Sequence, residues 1–264
     1  MMTANVIGKS EKGLYYDRFR KRIMFPILNV QGNVVAFSSR MLPSEPTTYG
    51  KYINSSDTPV FKKSSNLFGI SHAKNNESKQ IILVEGTMDV ISMYQAGFKN
   101  AVAILGTSFT SQQAELLSRY AKEVIIMLDA DAAGQKAIER TAEFLKNVGV
   151  SVKIAIISNA KDPDEYILNN GIEQFRIFLN NAISDMEYKL LNAMKDLNLE
   201  NTYDKITYLT RAAEIISYCD DVLTRDIYIG KLCDEYEVTR AALTEKVEEF
   251  RNKNSFNSTK QPWY

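Results

Sequence analysis

The chain has 264 residues, 45% of them hydrophobic and 24% charged, with 32 Lys/Arg balanced by 32 Asp/Glu. That length gives one large or two modest domains with a real core, and the mix excludes collagenous, disulfide-rich and disordered classes. One histidine, His72, and two cysteines, Cys219 and Cys233, give no support for a His-based zinc site or a Ser-His-Asp triad, and the cysteines read as reduced core residues.

The zero net charge hides an asymmetry. Residues 1–75 hold 11 of the Lys/Arg and 4 of the Asp/Glu, which makes them +7 and the remainder −7. A basic first third offers electrostatic attraction to a polyanion, and an acidic remainder leaves carboxylates for metal. The opening "MMTANVIGKSEK" has no signal-peptide core, and no run of about 18 apolar residues occurs, so a cytoplasmic protein without membrane contact is expected.

In chain order, "RIMFPILNVQGNVVAFSSRML" gives two apolar runs around "NVQGN", a hairpin signal. "PSEPTTYG" reads as a loop, and "KYINSSDTPVFKKSSNLFGI" is punctuated by Ser, Asp and Pro. Strands are predicted at 81–85, 101–105, 124–128 and 152–157, with helical spacing over 88–96, 111–120 and 132–148. Strands apolar on both faces and joined by helices imply a parallel sheet whose strand-to-helix loops share one edge. From about 172 onward apolar residues recur at three and four with no strand pattern, as in "YDKITYLTRAAEIISY", which predicts a helical bundle. The polar tail from 253 to 264 is expected to be disordered.

Three acidic groups fall just past predicted strands: Glu85, with Asp89 opening the next helix; Asp129 and Asp131 in "IIMLDADAAGQKA"; and Asp162, Asp164 and Glu165 in "NAKDPDEYI". Open α/β sheets bind ligands at that edge. Clustered carboxylates repel one another unless a cation joins them, and hard oxygen donors favour Mg²⁺, singly or as a pair serving phosphoryl transfer. Each acid also has a simpler reading. Asp89 would favour the positive end of its helix dipole, and Asp162 before Pro163 could be an N-cap.

The segments "VEGTMDVISMYQAGF", "AVAILGTSFTSQQAELL", "VIIMLDADAAGQKA" and "KDPDEYI" closely resemble the Toprim part of bacterial DnaG-type primases. "YDRFRKRIMFPILNVQGNVVAFSSRML" and "KYINSSDTPVFKKSSNLFGI" resemble the carboxyl-side half of the basic subdomain preceding it, and the later helices resemble the bundle that closes the polymerase core. The resemblance implies an α/β fold: a partial basic β-rich subdomain (1–75), a Toprim parallel-sheet domain (76–171) and a helical bundle (172–252). It also implies template-directed synthesis of short RNA primers on single-stranded DNA by nucleotidyl transfer. Glu85, Asp129 and Asp131 would hold Mg²⁺ or Mn²⁺, as two ions, with Asp89, Asp162 and Asp164 completing the catalytic acids. Arg40, Lys51, Tyr52, Asn54 and Lys63 would bind nucleotide or template.

The sequence departs from the family at Ala130, where glycine usually separates the two aspartates, and at "KKSSN" (62–66), where the family has an "HKGR"-like stretch. Zinc-binding and helicase-binding domains are expected to be absent. The expected partners are single-stranded DNA and ribonucleoside triphosphates, with a monomer at the replication fork; the replicative helicase is a partner of the full-length family. A Toprim nuclease-like enzyme and a non-catalytic fragment that binds nucleic acid or metal remain the alternatives.

Overall fold

A computed structural model of the chain describes residues 2–42, 50–106, 108–128, 132–157 and 160–258. The described residues fall into two compact units, 1–183 and 184–264.

The first unit opens with a small antiparallel ribbon, β1 (Ile7–Lys9) with β2 (Tyr15–Asp17). Next come β3 (Arg22–Leu28), β4 (Val34–Met41) and β5 (Tyr52–Asn54), an antiparallel sheet in the order β3-β4-β5. The "NVQGN" signal is the β3–β4 turn. Asn29 and Asn33 close it through the Asn29 N–H at 2.9 Å, and Gly32 supplies φ +88°. Ile27 and Ala36 on this sheet are buried together with Phe61 and Leu105.

After the short α1 (Ile70–Ala73) the chain alternates strand and helix: β6 (Gln80–Val84), α2 (Thr87–Gln95), β7 (Ala101–Ala103), α3 (Ser111–Ser118), β8 (Glu123–Ile126), α4 (Ala132–Asn147) and β9 (Ser151–Ile154). The helices α5 (Pro163–Asn170) and α6 (Ile172–Asn180) follow. β7, β6, β8 and β9 lie side by side, all parallel. Successive β6 residues point to opposite faces, yet Ile81, Ile82, Leu83 and Val84 are all at most 1% exposed, because helices cover both faces. On one face Ile82, Val84, Met93, Phe98 and Phe175 form a continuous core.

Two boundaries differ from the sequence reading. The first unit runs to Ile183 rather than 171, because α6 is part of the sheet's core: Phe175 is fully buried and packs edge-on to Phe98 at 5.0 Å. A two-residue strand, β10 (Ile183–Ser184), also lies on the outer edge beside β9, in a region where periodicity predicts helix alone.

The second unit consists of α7 (Asp185–Ala193), α8 (Thr202–Ser217), α9 (Val222–Tyr236) and α10 (Arg240–Ser258). Ser184 caps α7 in a reciprocal box with Glu187, Asn201 caps α8 and Asp221 caps α9. Tyr208, Ala212, Ile216, Ile229, Leu232, Leu243 and Val247 form its core. Helix α10 continues to Ser258, past the expected start of a disordered tail at 253, since extending a formed helix avoids a new nucleation cost. Cys219 and Cys233 are free and half-buried, and Cys233 packs against the core of the second unit. Among the described residues no helix is long and apolar enough to cross a membrane.

Candidate nucleotide and metal cleft

The strand order places the first acid. From β6 the chain crosses to β7 on one side, and from β8 to β9 on the other, so the crevice opens between the carboxyl ends of the adjacent strands β6 and β8. Leu83 pairs with Ile126, and the Met127 N–H donates to the Leu83 carbonyl at 2.9 Å. Glu85 leaves β6 at this edge and is exposed to solvent. Asp129 and Asp131, with Ala130, lie outside the described residues; the chain leaves β8 toward them at the same edge.

The other acids come from helix starts. Asp89, at the third position of α2, accepts a hydrogen bond from the Gly86 N–H at 3.0 Å. Asp162 is the N-cap of α5 and accepts from the Glu165 N–H at 2.8 Å, with Pro163 in the first turn. The cap readings of both residues are therefore real, and they fix where the carboxylates stand.

One cleft of about 500 Å³ gathers these groups. Glu85, Asp89, Asp162 and Asp164 line it from the end of β6 and the starts of α2 and α5, and Arg40, Lys51, Tyr52 and Asn54 line it from β4, β5 and the residue before β5. Strand pairing sets the basic wall: Arg40 is opposite Tyr52, and Ser38 is opposite Asn54. The Arg40 guanidinium stands 5.8 Å from the Tyr52 ring centroid and the Lys51 ammonium 5.9 Å from it, both within cation–π range. Burial raises the Tyr52 phenol above its usual range; Arg40 opposes this, and Asp89, Asp162 and Asp164 add to it. The phenol thus registers both walls of the cleft.

Lys63 is not among the lining residues. Its backbone holds α3 instead: its carbonyl accepts from Gln113 Nε2 at 3.0 Å, and its N–H donates to Asp57 at 3.0 Å. Conversely, Ser38, Thr87, Gly106 and Lys161 line the cleft without having been singled out in the sequence. Lys161, directly before Asp162, could have been found there; the others come close only through folding.

Carboxylate oxygens without His or Cys suit a hard divalent cation. Among the described residues no three acidic, His or Cys side chains are grouped closely enough to hold a metal. Glu85, exposed at the end of β6, fits such an ion in donor type.

Comparison with known proteins places three segments of the chain. Residues 82–167 match the Toprim-like family model, residues 1–74 the N-terminal domain of the DNA primase catalytic core, and residues 186–241 the DnaB-helicase binding domain of primase. The chain is 40% identical to the DNA primase of Clostridium acetobutylicum over 245 residues, 92% of this chain and 40% of that protein. It is 30% identical to a solved DNA primase domain from Pseudomonas aeruginosa, covering 94% of this chain and 78% of that one, with a TM-score of 0.72. A DnaG primase catalytic domain solved with single-stranded DNA gives 30% identity, 88% and 76% coverage and a TM-score of 0.71.

These matches correct two expectations. A helicase-binding domain is not absent, since its family model covers residues 186–241. The expected lack of a zinc-binding domain also falls away, because the chain spans about 40% of the length of the curated relative it matches. With three family models agreeing in chain order, and with more than two thirds of a solved primase domain matched at 30% identity, the chain belongs to the family of DnaG-type bacterial DNA primases.

Proposed function

We propose that this chain carries the nucleotidyl-transfer site of a primase, which joins ribonucleotides into short RNA primers on a single-stranded DNA template. The observation that carries the reading is the two-walled cleft, with Arg40, Lys51, Tyr52 and Asn54 facing Glu85, Asp89, Asp162 and Asp164. Phosphates carry charge that the cationic wall can clamp, and the tyrosine ring offers a face to a base. Capping holds Asp89 and Asp162 at the starts of α2 and α5, so little reorganisation of these two is needed when a triphosphate enters.

Glu85, Asp129 and Asp131 would hold divalent metal, Mg²⁺ or Mn²⁺ as two ions, with Asp162 and Asp164 beside them. Metal bound there supplies charge neutralisation at the reacting phosphate and a more acidic attacking hydroxyl. Asp89 keeps the start of α2, and with it the turn after Glu85, in place. Lys51 and Arg40 orient the triphosphate, and Lys63, outside the cleft lining, is proposed to meet template rather than the reacting nucleotide.

The second unit supports a partner reading. Its match to the helicase-binding family model favours contact with the replicative helicase, which would bring the cleft to single-stranded DNA at the fork, in the cytoplasm.

Ribonucleotide incorporation on single-stranded DNA with Mg²⁺ or Mn²⁺ tests the proposal, beside a Glu85→Gln control. Synthesis lost in the control supports it. Equal synthesis from both proteins removes Glu85 from the site. Template cleavage without synthesis would instead favour a Toprim nuclease.

A further inference from the structure

The edge of the parallel sheet opposite the cleft carries a row of lysines. Residues 76–264 are acidic overall, yet the three turns that lead into β6, β7 and β8 (74–79, 96–100 and 119–122) hold five cations and one acid. Lys79, Lys99, Arg119 and Lys122 are exposed, as is the acid, Glu77, while Lys74 turns to the Val30 carbonyl at 2.6 Å. Glu123, which opens β8, is already engaged by Lys153 at 3.2 Å and by Gln80 Nε2 at 2.6 Å. Among the described residues no carboxylate pairs with Lys79, Lys99 or Lys122.

Backbone bonds fix the row. β8, β6 and β7 are neighbours and parallel, so the residues that precede them emerge side by side. The Lys79 carbonyl accepts from the N–H groups of Lys122 at 2.7 Å and Glu123 at 3.2 Å. Asn100 Nδ2, next to Lys99, donates to the Gln80 carbonyl at 2.9 Å. Adjacent strands lie about 4.8 Å apart, which spaces the three lysine backbones over roughly 10 Å. Lys79 takes φ +54°, where a side chain costs about 1 kcal/mol and glycine sits freely, so the fold itself does not call for lysine there. Helix dipoles do not account for the others: α2 ends at Gln95 and α3 at Ser118, a full turn before Lys99 and Lys122.

An aromatic face adjoins the row. Tyr94 is 42% exposed; the Lys99 ammonium lies 5.9 Å from its ring centroid, and His72 packs edge-on to it at 5.5 Å. Lysines in a line without acid partners fit the phosphates of a polyanion. An exposed ring beside them fits an unpaired base, which a duplex would keep stacked inside. We infer that the amino-terminal edge of the sheet is a second contact for single-stranded DNA, with Lys122, Lys79 and Lys99 on its phosphates and Tyr94 under a base. The contact lies across the sheet from Glu85, so it is separate from the cleft and does not rest on the chemistry proposed there.

The test is fluorescence anisotropy of a labelled oligothymidine with the full chain across a salt series. Lys79→Gln, Lys99→Gln and Lys122→Gln together should reduce the slope of log affinity against log salt by about 2, at about 0.7 for each phosphate on a single strand. The matching triple arginine variant keeps the charges and should keep the slope. Tyr94→Ala should weaken binding about tenfold and leave the slope in place. An unmoved slope in the glutamine variant overturns the inference. So does an equal drop in the arginine variant, which would trace the effect to the turns and not to charge. A glutamine variant that loses affinity for duplex DNA while keeping it for the single strand overturns the inference as well, and assigns the edge to duplex. ATP affinity with Mn²⁺ should be unchanged in the glutamine variant; a loss as large as that for DNA would overturn the separation from the cleft.

Discussion

The carboxylate of Asp89 accepts the Gly86 N–H at 3.0 Å, and a methyl group placed on Gly86 would stand 2.7 Å from that same oxygen. The glycine and the aspartate therefore act as one unit. The absence of a side chain at 86 lets the carboxylate fold back over the start of α2, and the turn so formed follows Glu85 directly.

Gly86→Ala should push the Asp89 carboxylate out of its cap and destabilise the first unit by about 1 kcal/mol, the usual worth of a lost helix cap. Urea unfolding measures it, and Asp89→Ala should cost a similar amount. An unchanged midpoint for Gly86→Ala would show that the cap carries no energy.

Lys51→Ala should weaken binding of single-stranded DNA and reduce the slope of log affinity against log salt by about 0.7, the share of one phosphate contact on a single strand. Fluorescence anisotropy across a salt series reads the slope. If it does not move, Lys51 meets no phosphate.

Asp129→Asn should lower Mn²⁺ affinity tenfold or more while leaving the thermal midpoint in place, because the proposed role is to hold the ion and not the fold. Calorimetric titration settles it: equal affinities would take Asp129 out of the metal site.

Gln113 is fully buried and donates through Nε2 to the carbonyls of Lys63 at 3.0 Å and Asn66 at 2.8 Å. Its Oε1 accepts the Thr110 N–H at 3.1 Å, so a single side chain joins α3 to the basic segment. Gln113→Leu keeps much of the bulk and strands these partners, at roughly 2–4 kcal/mol. A loss below about 0.5 kcal/mol, the size of an ordinary surface change, would show that the partners find substitutes.

In the second unit, burial pushes the phenols of Tyr208 and Tyr236 upward, Tyr208 furthest, and their rings meet at 5.2 Å. In the unfolded chain both titrate near 10. Between that value and the higher folded ones the native state holds more protons than the unfolded state, so stability falls as pH rises. The contribution is complete below pH 10 and lost above it. Thermal midpoints from pH 9 to 11.5 should drop for the unmodified chain and drop less steeply for Tyr208→Phe. Parallel curves would exclude Tyr208 as the source.

The alternation of apolar strands and helices over 80–157 was legible in the sequence, because a strand covered on both faces must be apolar at consecutive positions, as Ile81 to Val84 are. The acids stood out for the same reason: Glu85 interrupts an apolar run at its end. The β3–β4 turn was legible from Asn29, Gly32 and Asn33, whose backbone demands are local. What local pattern could not reveal was set by distance along the chain. Phe175 extends the sheet's core because it meets Phe98, 77 positions earlier, and no periodicity within α6 carries that information. Lys63 reads as a ligand by its position in a motif, yet its backbone is tied to Gln113, 50 residues on. Asn54 reads as one polar residue among several; only the closure of β5 against Ser38, with Gly106 brought close by, leaves its oxygen buried and unpaired. Sequence alone thus determined where apolar strands end and which acids follow them. Tertiary structure decided which of them share a cleft, because burial and unpaired hydrogen-bonding groups arise only when distant segments pack.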